Sequence, residues 1–175
     1  MNHMLKIRKH LRSDIPYRVK WMNNPEVSRF LWDGSGKKTT KSEQEKWFDA
    51  YIKVKNKTFF TICDEELSIG FMWLSNISKI NRNAELFIAI WEDAYRWKWF
   101  WKKAFLWILE YWFKKLQLHK LILYVYCEND SAVKLYQNLW FQIEWTFKDE
   151  AFIDWRFHDS YSMALFSSEF NSGSQ

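Results

Sequence analysis

The chain has 175 residues, 48% of them hydrophobic, and its 26 Lys and Arg against 21 Asp and Glu give a formal net charge of +5. That length allows one domain with a proper core and excludes two ordinary ones; the mild basic excess suits an anionic ligand, but a solvated surface carries such a charge as readily. The stretches Ala104 to Phe113 and Leu118 to Cys127 fall short of the roughly 20 apolar residues of a membrane span, and Met1 to Ser13 has no apolar leader core, so a soluble, cytoplasmic protein is expected.

Met4 to Arg8 alternates Leu5 and Ile7 with charged neighbours and reads as a first strand. Asp14 is placed to cap a helix running to about Asn23, and Pro25 opens a further short helical turn through Phe30. A polar loop follows from Asp33 to Lys38. Thr40 and Glu43 form a capping-box pattern, predicting a helix over Lys41 to Lys55 with Trp47, Ile52 and Val54 among its apolar positions. Strands are expected at Thr58 to Asp64, Leu67 to Ser75 and Ala84 to Ile90, the first two joined at Glu65-Glu66. Phe100 to Leu116 reads as a long amphipathic helix, Leu118 to Cys127 as a buried strand, and Ser131 to Asn138 as a short helix. Phe141 to Phe152 and Arg156 to Phe166 form a terminal hairpin. The expectation is a mixed α/β fold, a sheet flanked by helices, with one domain over residues 1–167 and a polar tail over 168–175. Cys63 and Cys127 fit neither a metal site nor a disulfide framework and are expected as buried free thiols. His119 and His158 fall at strand ends, where solvation or hydrogen bonding is expected of them rather than catalysis.

Three segments carry chemistry. Ala84 to Ile90 leads through a short loop into Arg96-Trp97-Lys98-Trp99-Phe100-Trp101 and a helix, and a helix N-terminus after a strand and a tight loop is an anion site, because its first N–H groups lack internal partners. Glu128-Asn129-Asp130-Ser131-Ala132-Val133-Lys134-Leu135-Tyr136 joins a strand to a short helix. Asn138-Leu139-Trp140-Phe141 leaves that helix for the next strand.

On these segments the chain resembles the GNAT superfamily of N-acetyltransferases, within it the bacterial RimJ/RimL-type branch, over nearly its whole length. The family loop has Gln or Arg followed at the third and fifth places by Gly and by Gly or Ala; here Arg96 fits, and Trp99 and Trp101 stand where the small residues belong. The second family pattern is met at Asn129, Ala132, Tyr136 and Phe141, with Trp140 in place of Gly. The resemblance implies a GNAT fold with a mostly antiparallel central sheet, and acetyl transfer from acetyl-CoA to a primary amine on a protein N-terminus, a polyamine or an amino sugar. It implies that the backbone of Ile88, Ala89 and Ile90 pairs with the pantetheine arm and that Arg96, Trp97, Lys98, Trp99, Phe100, Trp101 and Lys102 hold the pyrophosphate. Asn129 would contact pantetheine, Tyr136 would protonate the leaving thiolate, and Glu85 would be the base. A phenol suits that task, since its ordinary pKa near 10 lies above that of a thiol at about 8.5. No metal, nucleic acid or membrane is implied, and a monomer or homodimer is expected.

Thirteen Trp against 4 Gly is the chain's compositional anomaly, since the average share of glycine, about 7%, would give roughly 12. Trp97, Trp99 and Trp101 stand in the phosphate loop, Trp140 at a helix end that favours the left-handed conformation, and Trp155 after Asp154 where Asp-Gly would make a type I′ turn. By the resemblance, Trp21 and Trp47 are genuine and the other eleven stand for glycine. The expected cause is UGA codons that mean glycine read as Trp; the alternative is a genuinely aromatic-rich protein whose Trp cluster serves core packing or membrane contact, and in that case the loop is too crowded for CoA. Two other classes remain open: a catalytically silent acyl-CoA-binding or interaction domain, which loss of Asn129 or Tyr136 would have favoured, and a basic, aromatic nucleic-acid or membrane-surface binder drawn from the Trp97 to Lys103 run.

Overall fold

The computed structural model describes residues 4–25, 38–92, 95, 99–153 and 155–170, with backbone alone at 99 and 100. The helical turn expected up to Phe30, most of the Asp33 to Lys38 loop, Arg96 to Lys98 and the last five residues lie outside that range. Seven strands form a mixed sheet in the order β1-β2-β3-β4-β5-β7-β6. The strands are β1 (Leu5–Lys9), β2 (Thr58–Asp64), β3 (Leu67–Ser78), β4 (Asn83–Ile90), β5 (Lys120–Tyr126), β6 (Gln142–Ile153) and β7 (Arg156–Phe166). The helices are α1 (Ile15–Met22), α2 (Lys41–Tyr51), α3 (Trp99–Glu110) and α4 (Asp130–Gln137). The chain divides into two compact units, residues 1–74 with 88–107 and residues 75–87 with 108–175.

In the first unit, β1 pairs antiparallel with β2 and β2 with β3. Asp14 does not cap α1: its side chain makes no cap hydrogen bond there. The carboxylate instead accepts two hydrogen bonds from Arg8, at 2.6 and 2.7 Å, one from the Thr61 hydroxyl at 2.9 Å and one from the Leu11 amide at 2.9 Å. Burial alone would raise the Asp14 pKa, but these donors outweigh it and hold the carboxyl below its ordinary range. His10 donates from Nδ1 to the same Thr61 hydroxyl, 2.9 Å away, and burial depresses its pKa to about 4, so it is packed as a neutral ring. The capping box of α2 forms as expected, with the Glu43 amide donating to Thr40 and the Thr40 amide to Glu43. The helix ends at Tyr51, earlier than predicted, and its buried residues are Gln44 and Phe48; Ile52 and Val54 lie past the end and are exposed. Arg18 on α1 stacks its guanidinium 3.7 Å from the Trp47 ring and donates to Gln44, joining the two helices. Gly70 on β3 has a steric reason to lack a side chain: a Cβ there would meet the Ala89 carbonyl oxygen at 2.3 Å.

In the second unit, β5 pairs antiparallel with β7, and β7 with β6. β4 and β5 run parallel, which requires the long crossover that α3 supplies. The apolar stripe of α3 buries Ala104, Phe105, Ile108 and Leu109 at helical spacing. The helix does not continue regularly to Leu116; Tyr111–Lys115 widens into a π-helical turn around the buried Trp112. Cys127 lies just beyond β5 and is half-buried rather than buried, whereas Cys63 is buried as expected. His119 is exposed, and His158 is buried inside β7 between Glu128 and the Ile153 carbonyl.

Two tryptophans occupy backbone positions that favour glycine. After α4 the Phe141 amide donates to the Tyr136 carbonyl and the Trp140 amide to that of Gln137, the two bonds of a Schellman motif, with Trp140 at φ 67°. Phe141 and Tyr136, the pair that makes the motif's apolar contact, have ring centroids 6.1 Å apart. Between the paired residues Ile153 and Arg156, Trp155 has φ 62° and is 91% exposed. A side chain in this region costs about 1–2 kcal/mol, set at Trp155 against an edge-on contact with the Phe152 ring, centroids 6.4 Å apart. Trp155→Gly is therefore expected to raise unfolding free energy by about 1 kcal/mol and Trp140→Gly by somewhat less, since Trp140 is half-buried against Phe170 whereas Trp155 is 91% exposed. Urea titration reads both, and a loss of stability in Trp155→Gly would contradict the assigned turn.

Candidate active site

The first unit holds the end of β4 and the start of α3. Along β4 the side chains of Ala84, Leu86, Ile88 and Ile90 are buried and those of Glu85, Phe87 and Ala89 half-buried, the period-2 alternation of a strand with one covered face. The parallel register with β5 runs from Asn83↔Lys120 to Glu85↔Ile122, and Ile88, Ala89 and Ile90 lie beyond that last pair. Just past β4, Glu92 accepts from Lys20 at 2.6 Å and from the indole N–H of Trp21 at 2.9 Å, tying the strand end to α1. Trp21 is buried and its one polar atom is satisfied. Of the expected phosphate-loop residues, Arg96, Trp97 and Lys98 lie outside the described residues, Trp99 and Phe100 form the first positions of α3, Trp101 is half-buried with its ring stacked on Phe105, and Lys102 is exposed.

The second unit holds Glu85, Asn129 and Tyr136. Glu85 sits at the last β4–β5 pair, where it accepts from the Ser75 hydroxyl at 3.4 Å. Asn129 is the N-cap of α4: its side-chain oxygen accepts from the Ala132 amide at 3.2 Å and from the Ser131 hydroxyl at 3.0 Å. The oxygen is thereby engaged by the chain itself, and the amide NH2 is the part of the side chain suited to a ligand carbonyl. Tyr136 lies in the last turn of α4, where the Schellman closure fixes its carbonyl. Burial raises its phenol well above the ordinary value, so the hydroxyl keeps its proton at every physiological pH.

Residues that the sequence reading passed over lie next to Glu85. Tyr124 is two places beyond Ile122 on β5, so it shares the sheet face of Ile122 and Glu85, and it is partly exposed. Burial raises the Tyr124 phenol pKa, and the negative charges of Glu85, Glu150 and Glu144 raise it further. The alternation of Lys120, Ile122, Tyr124 and Tyr126 with the apolar Leu121, Leu123 and Val125 was the available signal; without the strand register, however, it does not say which face they share. Among the described residues no group of His, Cys, Asp and Glu could hold a metal ion, and no helix is long and apolar enough to cross a membrane.

The chain resembles known proteins over nearly its whole length. Residues 4–142 match the Acetyltransferase (GNAT) domain family. Spermidine N(1)-acetyltransferase of Escherichia coli (strain K12) is 28% identical over 169 residues, covering 96% of this chain and 89% of that protein. The crystal structure of spermidine N-acetyltransferase from Vibrio cholerae in complex with CoA and spermine superposes with a TM-score of 0.88 at 28% identity, covering 94% of this chain and 96% of that one. A dodecameric structure of the Vibrio cholerae enzyme in an intermediate state gives a TM-score of 0.83 at 28% identity, with 98% of each chain covered. The chain belongs to the GNAT acetyltransferase family and is an acetyl-CoA-dependent N-acetyltransferase acting on a primary amine.

Proposed function

We propose that the amine is a polyamine, a flexible chain carrying more than one ammonium group. The observation that carries this reading is the pair of carboxylates Glu85 and Glu150, whose negative charges both act on the partly exposed Tyr124, while Glu144 is held by Lys120. The spermidine acetyltransferases among its relatives support it. A protein N-terminus or an amino sugar, the other acceptors that the resemblance leaves open, carries one ammonium group and makes no use of a second carboxylate; the relatives do not point to the RimJ/RimL-type branch in particular. The dodecameric relative supports an assembly larger than the expected monomer or homodimer.

In the reaction, Glu85 accepts a proton from the acceptor ammonium, directly or through water, and the freed amine attacks the thioester carbonyl carbon. As the new C–N bond forms and the C–S bond breaks, the electron pair moves to sulfur and the Tyr136 hydroxyl supplies its proton. The Ile88 to Ile90 backbone holds the pantetheine arm as an added strand would, the Asn129 NH2 donates to it, and the amides of residues 97–102 hold the pyrophosphate. Nothing bulky can fill that last concavity. We therefore also propose that the functional gene product carries glycine at Trp32, Trp73, Trp91, Trp97, Trp99, Trp101, Trp107, Trp112, Trp140, Trp145 and Trp155. The positive φ of Trp140 and Trp155 supports this. So does the contrast between Trp21, whose indole N–H is bonded to Glu92, and Trp112, whose buried indole nitrogen has no hydrogen-bond partner among the described residues. At the well-packed Trp91 the family pattern alone speaks for glycine.

The coding DNA decides the second proposal: one codon at the eleven positions and a different one at Trp21 and Trp47 is expected, and UGG at all thirteen would end it. For the mechanism, the form with glycine at 97, 99 and 101 is expected to acetylate spermidine in preference to an N-terminal peptide or an amino sugar. In that form Tyr136→Phe should lower kcat by about 100-fold with little change in the KM for acetyl-CoA, while Asn129→Ala raises that KM. Full turnover by Tyr136→Phe with chemistry rate-limiting would remove the phenol from the mechanism.

A further inference from the structure

The turn between β5 and α4 is joined to the β6–β7 hairpin by side chains that the mechanism does not use. After β5 the Cys127 amide donates to the Asp159 carbonyl at 3.0 Å, and two residues later Asn129 caps α4, its own amide donating to the Tyr126 carbonyl at 3.0 Å. Glu128 lies between them. Its Oε2 accepts from the Arg156 guanidinium and from His158 Nδ1, each at 3.1 Å. The second ring nitrogen of His158, Nε2, lies 3.2 Å from the carbonyl oxygen of Ile153, the last residue of β6. Both hydrogen-bond neighbours of the ring are therefore acceptors. A neutral imidazole has one N–H and serves one of them, whereas the imidazolium donates to both. His158 is only 8% exposed, so water has little access to replace a lost partner.

We propose that protonated His158 is a positioning residue for cofactor binding: it locks the Glu128 carboxylate to the hairpin and thereby steadies the adjoining Asn129. The inference rests on the assignment of the Asn129 NH2 to the pantetheine arm and extends it. With both ring nitrogens protonated, Glu128 is held by two donors from β7, and the ring is itself anchored on β6. Loss of one ring proton leaves either the carboxylate or the carbonyl facing a bare lone pair. Arg156 keeps its charge and its bond to Glu128, so the joint loosens without coming apart. Among the described residues, the titratable and charged groups around the ring are Glu128 from the turn, Arg156 from its own strand and Tyr126 from β5, whose ring centroid is 6.0 Å away. On β6, Glu150 adjoins Ala151, the residue paired with His158. The joint is complete at low pH and incomplete at high pH, so CoA binding weakens as the ring loses its proton.

Calorimetry of CoA binding to the form carrying glycine at 97, 99 and 101 tests this at about pH 5.5 and pH 8.5, on either side of the range in which imidazole changes charge. His158→Gln keeps an N–H donor but cannot titrate, and the phosphates of CoA titrate alike in both proteins. Between the two pH values the affinity of the unaltered ring should fall about 2- to 5-fold more than that of His158→Gln. Glu128→Gln, a change at a half-exposed side chain, should remove the same difference. An equal fall in all three would overturn the positioning role; if Asn129→Ala still weakens CoA, the pantetheine assignment survives that result. Unchanged CoA affinity in Asn129→Ala would overturn the assignment, and the positioning role with it. If His158→Gln does not fold, Glu128→Gln decides. Nitrogen-15 NMR of the full chain reads the joint without CoA: at the lower pH both His158 N–H protons should exchange slowly with water, and a ring with one fast-exchanging N–H would overturn the joint.

Discussion

The parallel ladder between β4 and β5 covers three residue pairs and stops at Glu85↔Ile122, and the chemistry assigned to the second unit depends on that stopping point. In a fully paired parallel sheet the backbone groups of both strands are consumed by each other, and side chains at the pairs are covered by crossover helices. Here the last pair carries a carboxylate on a half-exposed face, with a phenol two residues farther along the neighbouring strand. The proposed proton acceptor is thus carried on a strand rather than on a loop, which would suit a step that needs a reacting nitrogen held within hydrogen-bond distance of its base.

The proposed proton donor is held by different means. Tyr136 sits on a two-turn helix, too short to be stable by itself. Its N-terminus is held by the Asn129 cap and its C-terminus by the Schellman closure onto Phe141. One residue, Asn129, caps this helix and is also assigned to the pantetheine arm, so cofactor contact and placement of the acid are linked through one side chain. The closure is weakened by an indole at φ 67°, where a glycine would carry no strain. In the first unit the comparable node is the Asp14 carboxylate, which gathers Arg8, Thr61 and the Leu11 amide at the entry to α1. Removing any one of those partners would leave a buried charge less satisfied, which costs more than an exposed ion pair contributes.

Much of this was legible in the sequence where the signal is local. The Thr40 and Glu43 capping box and the strands β2 and β7 stand where the pattern put them, because a cap and an alternating run carry their own geometry. Trp140 and Trp155 were legible for the same reason: a helix end and a two-residue hairpin turn demand a left-handed residue whatever surrounds them. What failed was tertiary. Asp14 has the form of an N-cap, but Arg8 and Thr61 compete for its carboxylate and win; Ile52 and Val54 continue the apolar count of α2 past a helix that has already ended. Tyr124 was passed over because a phenol in an apolar strand looks like core until the register shows that it shares a face with Glu85.

The central claim is that a primary amine of a polyamine takes the acetyl group from acetyl-CoA. The most direct measurement follows thiol release and the mass of the amine together, in one reaction of spermidine with acetyl-CoA and the form carrying glycine at 97, 99 and 101. The account predicts one free thiol for every acetyl group found on a terminal nitrogen of spermidine. Thiol release with unmodified spermidine, or no thiol release with any amine, would contradict it.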